Sequence, residues 1–191
     1  MSTSTRFLTI AAVVVLGAGI YFYVAGFLPD TNNQQPPQVS TDPIYSSDKY
    51  GISFSYPETY QLTEMHAEGS AMREHHTIVL QQKTDLPAPE GGEGPPSITI
   101  DIYQNNLDNR ATEDWIRGDS RSNFKLGDGT IASTTIDGKP ALSYRWSGLY
   151  EGTTVAMARP DWIYAFNVTY LEMGADIIQD FVALRENVQI R

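Results

Sequence analysis

The chain has 191 residues, with 13 Lys+Arg against 23 Asp+Glu, a formal net charge of −10 and no cysteine. A surface of that sign repels phosphate backbones and anionic lipid, which argues against a nucleic-acid partner. Zero cysteines excludes a disulfide framework, thiol catalysis, iron–sulfur ligation, cysteine-based zinc sites and a lipidated N-terminal cysteine.

Residues 7–28 carry no charge, and only Thr9, Gly17, Gly19 and Gly26 interrupt an otherwise apolar or aromatic run. As a helix this stretch spans roughly 33 Å, enough for the hydrocarbon core of a bilayer. Tyr21, Phe22, Tyr23 and Phe27 gather toward one end, as an interfacial aromatic belt does. A cleaved signal peptide is the alternative, but its apolar region runs about 7–15 residues and ends in small residues. Here the run is longer, and its last residues before Pro29 (Val24, Ala25, Gly26, Phe27) make an indifferent cleavage site, so an uncleaved anchor is expected. Arg6 precedes it, and no Lys or Arg follows until Lys49. The positive-inside rule then leaves residues 1–6 as a cytoplasmic tail and the rest of the chain outside the cell membrane. Residues 29–43, rich in Pro, Asn and Gln, can bury little and read as a spacer.

Residues 44–191 are expected to form one extracytoplasmic domain. Ile52, Phe54 and Tyr56 alternate with Ser53 and Ser55. In residues 97–103, Ile98, Ile100 and Ile102 lie on one face, with Ser97, Thr99, Asp101 and Tyr103 on the other. One buried and one wet face is the mark of a largely antiparallel sheet. Further strands are expected near residues 60–67, 75–82, 130–136, 140–149, 153–159 and 162–171, with Asp137-Gly138 as a hairpin turn. Residues 86–96, with four Pro and three Gly, form an irregular loop read as a tolerated insertion. Thr112 is placed to cap a short helix beginning Glu113-Asp114-Trp115. Ile177, Phe181, Leu184 and Val188 make the apolar stripe of a second helix over residues 174–187. The fold class is α+β.

The stretch Asp48 to Tyr60, DKYGISFSYPETY, resembles the opening of PsbP-like domains, with its Tyr-Gly-aliphatic-Ser-Phe-x-Tyr-Pro strand. The helix bearing Trp115, the Ile136–Ala141 hairpin, the aromatic strand from Trp162 to Tyr170 and the final helix are consistent with it. The resemblance implies an αβα sandwich around an antiparallel sheet, the fold of the extrinsic photosystem II protein PsbP and of a Ran-binding nuclear import factor. It also implies a binding or assembly protein rather than an enzyme. Tethered members with this opening look bacterial. A membrane helix in place of a plastid-targeting segment argues against a photosystem role, and no binding residue of the family maps onto a position here.

Candidate sites come from residue chemistry alone. His66, His75 and His76 supply imidazoles. Adjacent strand residues face opposite ways, so His75 and His76 do not share one ion; His66 and Glu68 on a neighbouring strand leave two ligands on one face. Asp101 and Asp108 could offer oxygen ligands, but without the spacing of a calcium loop. Asn167-Val168-Thr169 matches a glycosylation sequon inside an expected strand. Trp162, Tyr164, Phe166, Val168 and Tyr170 form one face of a strand and read as core. Tyr144, Trp146 and Tyr150 are the candidates for an exposed contact surface. No Gly-x-Ser-x-Gly or phosphate-binding glycine pattern is present, and no cofactor is implied.

The expected function is therefore a membrane-tethered, extracytoplasmic, non-enzymatic binding or assembly module that engages an envelope protein partner. A small-ligand or cation-binding sensor or carrier is the first rival, and an extracytoplasmic hydrolase the second.

Overall fold

The computed structural model describes residues 41–69, 72–87 and 94–191. The expected tail, anchor and nearly all of the spacer (1–40), and the middle of the Pro/Gly loop (88–93), lie outside the described residues. Among the described residues no helix is long and apolar enough to cross a membrane.

Two short strands open the domain, β1 (Ile44–Ser47) and β2 (Ile52–Ser55). Then follow β3 (Tyr60–Gly69), β4 (Met72–Gln82), β5 (Ile98–Gln104), the helix α1 (Thr112–Gly118), β6 (Ala132–Ile136), β7 (Lys139–Ser147), β8 (Glu151–Ala158), β9 (Trp162–Tyr170), α2 (Asp176–Asn187) and β10 (Gln189–Ile190). Among the described residues β3 to β9 form one antiparallel sheet in the order β3-β4-β5-β9-β8-β7-β6. The β6–β7 turn is the expected Asp137-Gly138, with φ of +50° and +68°, the left-handed pair whose twist suits a two-residue hairpin.

The period-2 pattern sets which side of each strand is buried. Ile98, Ile100 and Ile102 of β5, Ile78 and Leu80 of β4, and Tyr164, Phe166, Val168 and Tyr170 of β9 form one core. That core is closed by Ile177, Phe181 and Leu184 of α2, and by Ile52 and Phe54 of β2. α2 has no side-chain cap, and a 12-residue helix is marginal alone in water, so the apolar stripe holds it in place.

Three expectations change here. First, α2 shares its layer with a second small sheet, β1-β2-β10, in which the start and end of the domain both pair with β2. The sandwich is therefore not bounded by helix alone on that side. Second, the face of β5 read as wet is partly covered: Tyr103 is buried in a second core with Trp115 and Ile116 of α1, Tyr144, Ala156 and Ile163. Third, Thr112 does not cap α1. Ala111 is the N-cap, and the Thr112 hydroxyl accepts a hydrogen bond from the Ala158 N–H at 3.0 Å, tying the helix to β8. α2 begins at Asp176, later than residue 174, and Val188 sits just past its end, still buried.

Candidate functional site

The three aromatic candidates on β7 and its turn separate by depth. Tyr144 is 3% exposed. Its hydroxyl donates to the Ser122 carbonyl, and burial pushes its pKa up to about 12. Tyr144 is core, which removes it from the expected contact surface. Trp146 is half-buried and lies flat on its cross-strand partner Gly152. A Cβ at Gly152 would come within 2.3 Å of the indole, so only glycine leaves the ring that seat. Tyr150, in the β7–β8 turn, donates its hydroxyl to the Gly94 carbonyl at 2.7 Å.

Around that turn several large apolar side chains are exposed, interspersed with exposed Glu151 and Glu172. Leu149 is 65% and Leu171 is 73% exposed. They share one end of the sheet, because Glu151 pairs with Tyr170 and each leucine lies just beyond that pair. Met173 follows in the β9–α2 connection and is also exposed. Exposed Leu126 reaches the same turn: a Cβ at Gly148 would meet its Cδ1 at 3.7 Å.

From Trp146 a hydrogen-bonded row crosses five neighbouring strands. The indole Nε1–H donates to Thr154 Oγ1 (2.9 Å), and the Thr154 hydroxyl donates to Asn167 Oδ1 (2.7 Å). Asn167 Nδ2 donates to Asp101 Oδ2 (2.9 Å), while Asp101 Oδ1 accepts from the Thr77 hydroxyl (2.7 Å) and contacts His75 Nε2 (2.7 Å). Thr154 is wholly buried. Asn167, seen in the sequence only as part of a sequon, is committed to this row.

The metal candidates do not converge. His75 and His76 point to opposite faces of β4, as strand geometry requires. His75 is joined to Asp101 and stacks on Tyr103 with ring centroids 4.3 Å apart. Asp108 accepts from Arg73 and from Arg110, whose guanidinium groups hold its carboxyl below the usual range. His66 and His76 are cross-strand partners on the face toward the small sheet, with ring centroids 5.9 Å apart. Among the described residues no three His, Asp or Glu side chains are grouped to hold a metal ion.

Sequence reasoning missed the surroundings of His76. It is 5% exposed and stacks on Tyr50 at 4.5 Å. Its Nε2 lies 3.0 Å from Glu64 Oε2 and 3.4 Å from the Tyr45 hydroxyl, and its Nδ1 is buried without a partner. Burial lowers its pKa, against the pull of Glu64 in the other direction. Between that lowered value and the ordinary 6.5, the unfolded chain binds the proton that the folded chain declines. Stability from this residue is thus complete above pH 6.5 and lost as pH falls through that window. The thermal midpoint should drop more between pH 7 and 5.5 in the natural chain than in His76→Phe, which keeps the stacking but cannot titrate. Equal slopes would show that His76 is not the sensitive group.

The other feature without a sequence signal is a groove of about 410 Å³ between α2 and the strands β6 to β9. Val155, Val168, Ile178 and Val182 give it an apolar lining, and Arg145 and Arg185 also border it.

No protein-family model matches the chain, and no curated protein matches it. Among solved structures, cyanobacterial PsbP (CyanoP) from Synechocystis sp. PCC 6803 aligns at 13% identity with a TM-score of 0.50, over 81% of this chain and 96% of that one. A crystal structure from Bacteroides thetaiotaomicron VPI-5482 aligns at 10% identity with a TM-score of 0.46, over 80% of this chain and 49% of that one. At such identities the CyanoP likeness speaks to architecture, and on that ground the chain carries an antiparallel-sheet α+β domain of PsbP-like fold.

Proposed function

We propose that this chain is a membrane-tethered, extracytoplasmic binding module without catalytic activity, and that it engages an envelope protein through the end of the sheet carrying Leu126, Leu149, Leu171 and Met173. The observation that carries the reading is the collection of these exposed apolar side chains around one turn. Isolated exposed leucines are ordinary on a protein surface, whereas several at one place mark a contact. Half-buried Trp146 and Tyr150 border them, and large aromatic side chains are favoured at such contacts. The PsbP-like fold supports a binding role, and the uncharged run 7–28 with its spacer would keep the domain at the membrane where such a partner sits.

The test places a photo-crosslinking amino acid at Leu149 or, as a control, at exposed Ile44 in the full-length chain in its own membranes. Position 149 should give one adduct of discrete mass, with reduced yield when residues 7–28 are deleted. Equal adducts from both positions, or none from position 149, would remove this end of the sheet as the contact.

A further inference from the structure

Most of the arginines in the described domain meet a carboxylate. Arg73 and Arg110 contact Asp108, Arg121 contacts Asp119, Arg117 contacts Glu113, and Arg191 contacts Asp48. Arg145, Arg159 and Arg185 have no such partner among the described residues. In a domain with 21 acidic residues to 12 basic ones, guanidinium groups left without a carboxylate are the exception. Two of the three border the same groove between α2 and the sheet.

Arg185 is the more confined. It sits in the last turn of α2 with its guanidinium 5.6 Å from the Phe181 ring centroid. Its Nη2 makes only long contacts, 3.3 Å to Thr134 Oγ1 and 3.5 Å to the Thr135 carbonyl. Its Nε is buried without any partner, and burial lowers its pKa. The two long contacts and the exposed neighbour Glu186, whose charge acts in the opposite direction, restore only part of the solvation that a half-buried guanidinium loses. Across the groove Arg145 is exposed and makes no side-chain hydrogen bond among the described residues. The lining carboxylate, Asp128, is turned to the Thr130 N–H, which lowers its pKa. On its other side Arg185 borders a smaller groove with Asp137 and Glu186, but Asp137 is engaged by Lys139 and the Ile190 N–H.

We infer that the groove between α2 and strands β6 to β9 binds a small apolar carboxylic acid, its carboxylate held by Arg185 and Arg145 and its hydrocarbon body laid against Ile178 and Val182 over a floor of the buried Val155 and Val168. Two arginines and one aspartate leave the lining a single positive charge, which suits a monoanion better than a phosphate ester. The volume lies in the range of small-molecule sites, and the mixture of an apolar wall with few convergent polar groups is their usual chemistry. A planar carboxylate also matches the paired donors of a guanidinium. The inference is independent of the contact proposed at the end of the sheet.

Isothermal titration of the full-length chain in lipid nanodiscs with 4-phenylbutyrate, and with its neutral amide, tests this against empty nanodiscs. The acid should bind at least about tenfold more tightly than the amide, the worth of one charge-assisted pair. Arg185→Gln should bring the acid down to the level of the amide without altering binding of the amide. Should that variant fail to fold by circular dichroism, Arg145→Gln, at an exposed position, should still weaken the acid alone. No binding of either compound, equal binding of both, or an acid preference untouched by the arginine substitutions would overturn the inference.

Discussion

Replacing Phe181 by alanine is expected to lower the free energy of unfolding by about 4 kcal/mol, the usual cost of deleting a buried phenylalanine. Phe181 is 2% exposed and lies between Ile177 and Leu184 in the stripe that closes the main core. The helix has no side-chain cap to fall back on. The cavity would open next to the existing groove, which Phe181 also lines, so few neighbouring side chains can close over it. The urea midpoint, followed by tryptophan fluorescence, measures it. A loss below about 1.5 kcal/mol would mean that α2 rests on the sheet without stabilising it.

Asn167→Leu should cost about 2–3 kcal/mol despite replacing a polar residue by an apolar one of similar size. Asn167 sits in the middle of the row from Trp146 to His75, accepting from Thr154 and donating to Asp101. Leucine would leave the wholly buried Thr154 hydroxyl without its acceptor and Asp101 without one of its donors. An unsatisfied buried polar group costs about 1–3 kcal/mol. Thr154→Val, by contrast, should cost less, because Asn167 keeps its bond to Asp101 and the half-buried Trp146 can turn its N–H toward water. If Asn167→Leu were neutral in the same urea titration, the row would be a coincidence of polar side chains on one face.

Much of the fold was legible in the sequence because most of its stabilisation follows a two-residue period. The alternation in 97–103 and the aromatic face of 162–170 identify strands whose buried side chains are read directly. The stripe Ile177–Phe181–Leu184 does the same for α2. What escaped depends on partners far apart in the chain. β10 has two residues, and its pairing with β2 joins positions more than 130 residues apart, so no local pattern announces it. The second core was hidden because Tyr103 occupies the polar side of its own strand and is buried by groups distant in sequence, among them Trp115 of α1 and His75 of β4.

The candidate site was less legible. Trp146 and Tyr150 could be named as surface aromatics, but the exposure of Leu126, Leu149, Leu171 and Met173 around them depends on three separate connections meeting at one end of the sheet. Tyr144 shows the limit of residue type, since it lies two positions from Trp146 on the same strand face and is core. For the histidines, strand parity separated His75 from His76. It did not reveal that His76 is roofed by Tyr45 of β1 and Tyr50 of the β1–β2 turn. Arg185 carried no sequence signal, because a basic residue in the last helical turn is also what the helix dipole favours.

The pairing of β1 with β2 also fixes how the domain would answer to force. A pull applied at Thr41 enters through β1, an edge strand held by four register pairs to β2 and by the stacking of Tyr45 on Phe54. If the pull runs across the strands, those pairs open in succession; if it runs along them, they must yield together. In either direction the load meets the small sheet before it reaches the seven main strands. The first element to give way would be β1, whose Tyr45 hydroxyl lies beside His76 and Glu64, so tension and exposure of that histidine would rise together while the groove and the far end of the sheet keep their shape.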